Sequence, residues 1–182
     1  MRVRAFGHWC FVVKEKNRQS HVRTWWLLAG QEVAVAAAVY YGLPKVSEYL
    51  VQAQAKNFAF LERRLPFPAI VWVSLGAGIG EEALFRGGVQ MLAADYVGMP
   101  LAIAIAAALF AVVHFARPLI AAIIFAIGVV FGCVFWITGS LLTVMLAHAL
   151  YDVFALWYVQ KEMHRLRVFA DADGARAEET SD

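Results

Sequence analysis

An all-α, multi-span membrane protein is the fold class this sequence predicts, with about five transmembrane helices, four of them forming a core. Two observations lead there. Apolar residues make up 62% of the 182 positions and charged residues 16%, against roughly 45–50% and about 25% in soluble domains. A globule of this size cannot internalise such an excess, and the mean hydropathy of +0.62 agrees. The apolar residues are also gathered in five stretches, each near the roughly 20 residues that a membrane helix needs. Composition excludes intrinsic disorder, collagen, a coiled coil and a disulfide scaffold. A net charge of +2 gives no case for a nucleic-acid partner. Cys10 and Cys133 are isolated, so neither a zinc cluster nor a disulfide framework is indicated.

Residues 1–24 form a basic head, with Arg2, Arg4, Lys14, Lys16, Arg18 and Arg23 against Glu15. It holds no apolar stretch of leader length and reads as a juxtamembrane segment able to lie on anionic lipid. The first apolar stretch runs from Trp25 to Leu43 and includes Gln31 and Glu32. Residues 44–65 are a mixed loop with room for an interfacial helix. Residues 66–160 hold the core. Pro66 and Pro68 suit the first turn of the second span, which continues towards Ala94. The third spans Leu101–Ala116, the fourth Pro118–Ile137 and the fifth Ser140–Gln160. Arg117-Pro118 and Gly139 mark tight turns, so the last three helices should be antiparallel neighbours. The tail, residues 161–182, turns acidic from Asp171 and has the composition of a disordered segment. Five spans place the termini on opposite sides, and the basic head favours a cytoplasmic N-terminus.

Polar residues within the apolar stretches carry the functional information. An ionised side chain at the bilayer centre costs on the order of 2.5–3.5 kcal/mol on insertion scales. Here such residues cluster at three points, each in a different helix. They are Gly80-Glu81-Glu82-Ala83-Leu84-Phe85-Arg86-Gly87, Phe110 with His114, and His148 with Asp152. Residues four apart share a helical face, so Glu82 and Arg86 can neutralise each other. Glu81 points about 100° away and lacks that partner, as a general base in an apolar site would. His148 and Asp152 share a face, as do Phe110 and His114. The fourth helix has no ionisable residue and reads as packing only. Gly76, Gly78 and Gly80 read as sites of close helix approach, because no phosphate-loop Lys-Ser/Thr follows them. Singly, each motif has a structural reading: an ion pair, a core histidine, an interhelical hydrogen bond. Two carboxylates and two histidines together at membrane depth favour chemistry.

Missing motifs narrow that chemistry. There is no HExxH zinc-protease signature, no GxGD of membrane aspartyl proteases and no GxSG serine motif. The three clusters instead resemble the CAAX-protease and bacteriocin-processing (CPBP, or Abi) family of membrane proteases. Its first motif, EExxFRG, matches Glu81-Glu82 through Phe85-Arg86-Gly87. Its FxxxH motif matches Phe110 and His114, and its His-x-x-x-Asn/Asp motif matches His148 and Asp152. The similarity covers about Pro66–Gln160.

The resemblance implies a helical core enclosing a laterally open, water-filled cavity, where a peptide bond of a membrane-associated peptide or protein is hydrolysed. By the family's motifs, Glu81 would be the catalytic carboxylate, with His114 and His148 as partners and Glu82 and Asp152 completing the site. Arg86 and Phe110 would support it. Two mechanisms stay open. In one, His114, His148 and Glu81 hold a divalent metal, zinc by preference, with an open position for water. In the other, Glu81 and His114 activate the water while His148 and residue 152 stabilise the oxyanion. Asp152 departs from the commoner Asn, and an ionised Asp donates no hydrogen bond. It must be protonated, orient His148 or bind metal. The expected location is a bacterial cell membrane. The competing readings are a non-catalytic membrane scaffold or immunity protein of the same fold, and an ion or proton carrier.

Overall fold

The computed structural model describes residues 33–34 and 36–169, which contain helices and turns but no strand. The basic head, most of the first apolar stretch with Gln31 and Glu32, Cys10 and the acidic tail lie outside the described residues. Residues 36–42 are helical and lead at Pro44 into α1 (Pro44–Ala53), where the sequence allowed an interfacial helix. A short 3-10 turn, Ala59–Glu62, follows.

The second predicted span is one continuous helical rod in three parts: α2 (Phe67–Glu82), a π-helical segment (Ala83–Gln90) and α3 (Met91–Val97). Prolines occupy its first turn as expected. Gly98 ends it at φ +80°, a backbone angle that glycine tolerates and other residues rarely adopt. α4 (Met99–Val113), α5 (Pro118–Thr138) and α6 (Leu141–Arg165) complete the chain. Gly139, at φ +62°, turns α5 into α6, and Ser140 caps α6 by accepting from the Thr143 amide at 3.3 Å.

Three of these helical rods are long and apolar enough to cross a membrane: Phe67–Val97, Pro118–Thr138 and Leu141–Arg165. α4 is equally apolar but has only 15 residues. At 1.5 Å per residue it falls short of a bilayer core about 30 Å thick. It stops early because the chain turns at His114 and Phe115, the latter at φ +46°. α6 is longer than predicted and continues past Gln160 to Arg165, since Lys161-Glu162-Met163 contains no helix breaker. Large apolar side chains face outward along the rods, among them Trp72, Val112 and Ile137. In water this surface would be an aggregation hazard; in lipid it is the expected exterior.

α2 packs most extensively on α6, and α4 on α5. The α2 contact follows a stripe of buried residues one turn apart: Ile70, Ser74, Gly78 and Glu82. At Gly78 a Cβ would lie 2.7 Å from the Ala149 amide nitrogen and 2.8 Å from the Met145 carbonyl. Only glycine lets the two backbones approach this closely. Gly76 and Gly80 have open space where a Cβ would stand, so of the three glycines predicted as approach sites, Gly78 alone serves. Glycines of α5 do so too. Gly128 lies against Ala107 of α4, and Gly132 against Ile103 and the Gln90 side chain.

The segment 44–65 is fastened along the last turns of α6. The Tyr158 hydroxyl donates to the Tyr40 carbonyl at 3.0 Å, and so accepts from Ser47 Oγ at 3.0 Å. Gln160 bonds both main-chain groups of Leu65, and His164 Nε2 donates to the Leu61 carbonyl. Arg165 bridges Glu48 and Glu162. Beneath these contacts, Val51, Leu61, Ile70, Leu156, Val159 and Met163 form an apolar core.

Candidate active site

The close α2–α6 approach at Gly78 brings the next turn of α2 against the adjoining turn of α6. Glu82 therefore meets His148, and Glu82 Oε1 accepts from His148 Nδ1 at 2.8 Å. The same oxygen lies 3.0 Å from Arg86 Nη1, the ion pair expected from helical spacing. All three side chains are buried. Arg86 Nη2 donates to the Gly128 carbonyl of α5 at 3.0 Å, and one turn further on Gln90 Nε2 donates to the Gly132 carbonyl at 3.1 Å. The α5 backbone therefore does more than pack, contrary to the sequence expectation: its Gly128 carbonyl holds the buried guanidinium and its Gly132 carbonyl holds Gln90. Glu82 Oε2 and Arg86 Nε have no hydrogen-bond partner among the described residues, so charge neutralisation carries much of this contact.

Phe110 is the hub of the aromatic packing. Its ring meets Phe85 at 5.1 Å, His114 at 4.7 Å and His148 at 6.0 Å, each edge to face. The Arg86 guanidinium carbon lies 4.7 Å from the Phe110 centroid and 5.6 Å from that of Phe131. Phe131 in turn stacks on the His148 ring at 5.2 Å and 25°. These contacts fix the ring plane of His148 from one side while Glu82 fixes Nδ1.

The opposite nitrogen of His148 faces two carboxylates. Nε2 lies 3.5 Å from Asp152 Oδ2 and 3.8 Å from Glu81 Oε2. His114, at the C-terminal end of α4, has Nδ1 2.6 Å from the Phe110 carbonyl. A carbonyl only accepts, so Nδ1 carries the proton and a neutral ring keeps its lone pair on Nε2. Glu81, His114, His148 and Asp152 all line one cavity of about 440 Å³. Its walls also include Ser74 and Ala77 of α2, Ile120, Ile123, Ile124 and Ile127 of α5, and Gln54, Asn57 and Phe58 of the 44–65 segment. Phe110 lines the cavity as well, while Glu82 and Arg86 stand behind His148, outside the cavity wall, so the structure divides the predicted set into five lining residues and a buried pair that supports them.

Among the described residues, no three His, Cys, Asp or Glu side chains are grouped so as to hold a metal ion. The metal set predicted from the motifs, His114, His148 and Glu81, therefore shares the cavity without forming a ligand cage.

Gln90, Gly128, Gly132 and Phe131 were not singled out in the sequence. Gly128 and Gly132 form a GxxxG pair, the usual mark of close helix contact in membranes. Gln90 is a polar residue one turn beyond Arg86 in an apolar run. Phe131 carries no signal of its own.

The Rce1-like model, described as type II CAAX prenyl endopeptidase Rce1-like, matches residues 63–154, just over half of the chain. The chain belongs to this family. The match to the Rce1-like model contains all three motifs and stops two residues after Asp152, close to the limits read from the motifs. No curated protein and no solved structure matches the chain. Membership in the Rce1-like family supports a membrane endopeptidase acting on a membrane-associated peptide.

Proposed function

We propose that this protein is an intramembrane endopeptidase in which Glu81 activates water against a peptide bond held in the cavity. The observation that carries this reading is the meeting of Glu81, His148 and Asp152, from two helices, at one point of the cavity wall, with His114 on the same cavity. Glu81 takes a proton from water, and His114 Nε2 accepts a hydrogen bond from the same water. The hydroxide adds to the carbonyl carbon. His148, donating through Nδ1 to Glu82 as an imidazolium, offers its Nε2–H to the oxyanion. Glu82 balances that charge at Nδ1, and Asp152 holds the ring from the other side, the orienting role left open for an Asp at this position. Collapse breaks the C–N bond, and Glu81 returns its proton to the leaving amine. The products are a new carboxylic acid and a new amine, and transfer of the acid's proton to the amine leaves a carboxylate and an ammonium group.

Substrates are membrane-associated peptides of CAAX type or of the small-peptide type that bacterial members process. The test is hydrolysis of fluorogenic membrane peptides by the purified protein in ¹⁸O-labelled water. One labelled oxygen should enter the new C-terminus of the product. Absence of cleavage across prenylated and unprenylated peptides would contradict the reading.

A further inference from the structure

The catalytic residues occupy only part of the cavity wall. Towards the N-terminal end of α2 the wall contains Ser74, a buried side chain at 1% exposure. Its Oγ has no hydrogen-bond partner among the described residues. A serine in an apolar helix ordinarily returns its hydroxyl to a carbonyl one turn back, and leaving it unpaired in a buried position is unfavourable. An unpaired hydroxyl beside a cavity is a group kept for something that enters the cavity.

Its position says what that would be. Ser74 and Glu81 are seven residues apart on the unbroken α-helical part of the rod, so they point within about 20° of each other, roughly 10.5 Å apart along the axis. Between them on the same wall stands Ala77, whose methyl group leaves room for a backbone to lie close to the helix. Three residues of extended chain span about 10 Å. Gln54 and Asn57 of the 44–65 segment contribute further uncharged polar side chains to the cavity wall.

We infer that Ser74 is a substrate-binding residue that hydrogen-bonds a main-chain polar group of an extended peptide about three residues from the bond cleaved at Glu81. This rests on the endopeptidase reading and adds to it a length and a direction: the substrate runs along α2 from Glu81 towards Ser74. Ser74 takes no part in the chemical step and acts on binding.

The test compares peptide binding and turnover. Fluorescent membrane peptides, prenylated and unprenylated, are titrated onto Glu81→Gln and onto Glu81→Gln with Ser74→Ala, and turnover is measured with Glu81 intact. Removing one hydrogen bond should weaken binding by about three- to tenfold and raise KM to match with kcat nearly unchanged. Ser74→Thr should restore most of the affinity. Thermal stability of Ser74→Ala should be unchanged or higher, because a buried unpaired hydroxyl has been removed; a purely structural serine would instead lower it. In peptides with one amide replaced by an ester at each position in turn, the Ser74 dependence should disappear only about three residues from the cleaved bond. Equal binding and KM in Ser74→Ala overturn the subsite while leaving the protease intact. Ser74-dependent binding without any cleavage overturns the protease and leaves the subsite. Failure of every peptide to bind overturns both.

Discussion

His148 Nδ1 lies 2.8 Å from Glu82 Oε1, and that oxygen is 3.0 Å from Arg86 Nη1, so one buried carboxylate joins the first and third motifs. Glu82 thereby decides which nitrogen of His148 is presented to the cavity. Glu82→Ala would leave the buried Arg86 without its counter-charge, a loss of about 3–5 kcal/mol for breaking a buried pair. Thermal unfolding in detergent should show the variant strongly destabilised. Glu82→Gln keeps an oxygen for His148 and should fold better than Glu82→Ala. Wild-type stability in Glu82→Ala would remove Glu82 from this role.

Gly78 provides a second test, of how the site is assembled. Gly78→Ala places a methyl against the α6 backbone, where nothing flexible can yield, and should cost at least about 1–3 kcal/mol as overpacking. Activity should fall with it, since the helices that carry Glu81 and His148 are pushed apart. Gly76→Ala and Gly80→Ala meet open space and should be neutral or gain up to about 1 kcal/mol from helix propensity. Differential scanning fluorimetry on the three variants reads the contrast directly.

Asp152→Asn separates the possible roles of that side chain. An asparagine can donate to an oxyanion and still contact His148, so substantial peptidase activity should remain, whereas Asp152→Ala should lose more. Complete inactivity of a folded Asp152→Asn protein would show that the negative charge itself is required, as an ion partner or a ligand.

Metal dependence can be read from the same preparation. With water activated by Glu81 and His114, activity should survive dialysis against a chelator, and elemental analysis should find no stoichiometric metal. Loss of activity that zinc alone restores would replace this mechanism with one in which the cavity carboxylates and histidines rearrange around an ion.

Much of this site was legible in the sequence, for a physical reason. Charged groups are so unfavourable in lipid that Glu81, Glu82, Arg86, His114, His148 and Asp152 stood out against an apolar background, and helical spacing paired Glu82 with Arg86. What spacing could not supply was the neighbour across the helix interface. The hold of α5 on Arg86 and Gln90 depends on main-chain carbonyls at Gly128 and Gly132, which every residue has and no pattern singles out. The Ser74 hydroxyl was equally silent, since a serine in a membrane helix normally satisfies itself. Nor could composition distinguish Gly78 from Gly76 and Gly80: all three permit close approach, and only the partner helix decides which is used. The C-terminal end of α4 was placed at Ala116 because Phe115 and Ala116 prolong the apolar run, while the helix ends at Val113, where the backbone turns at His114 and Phe115.

Glu81→Gln is the most direct examination of the central claim, with peptide cleavage measured on wild type and variant side by side and folding verified by thermal unfolding. The substitution preserves shape and removes the base, so cleavage should fall by at least about 100-fold while the unfolding temperature stays close to that of the wild type. A folded Glu81→Gln protein that still cleaves within a few-fold of the wild-type rate would show that the water is activated elsewhere.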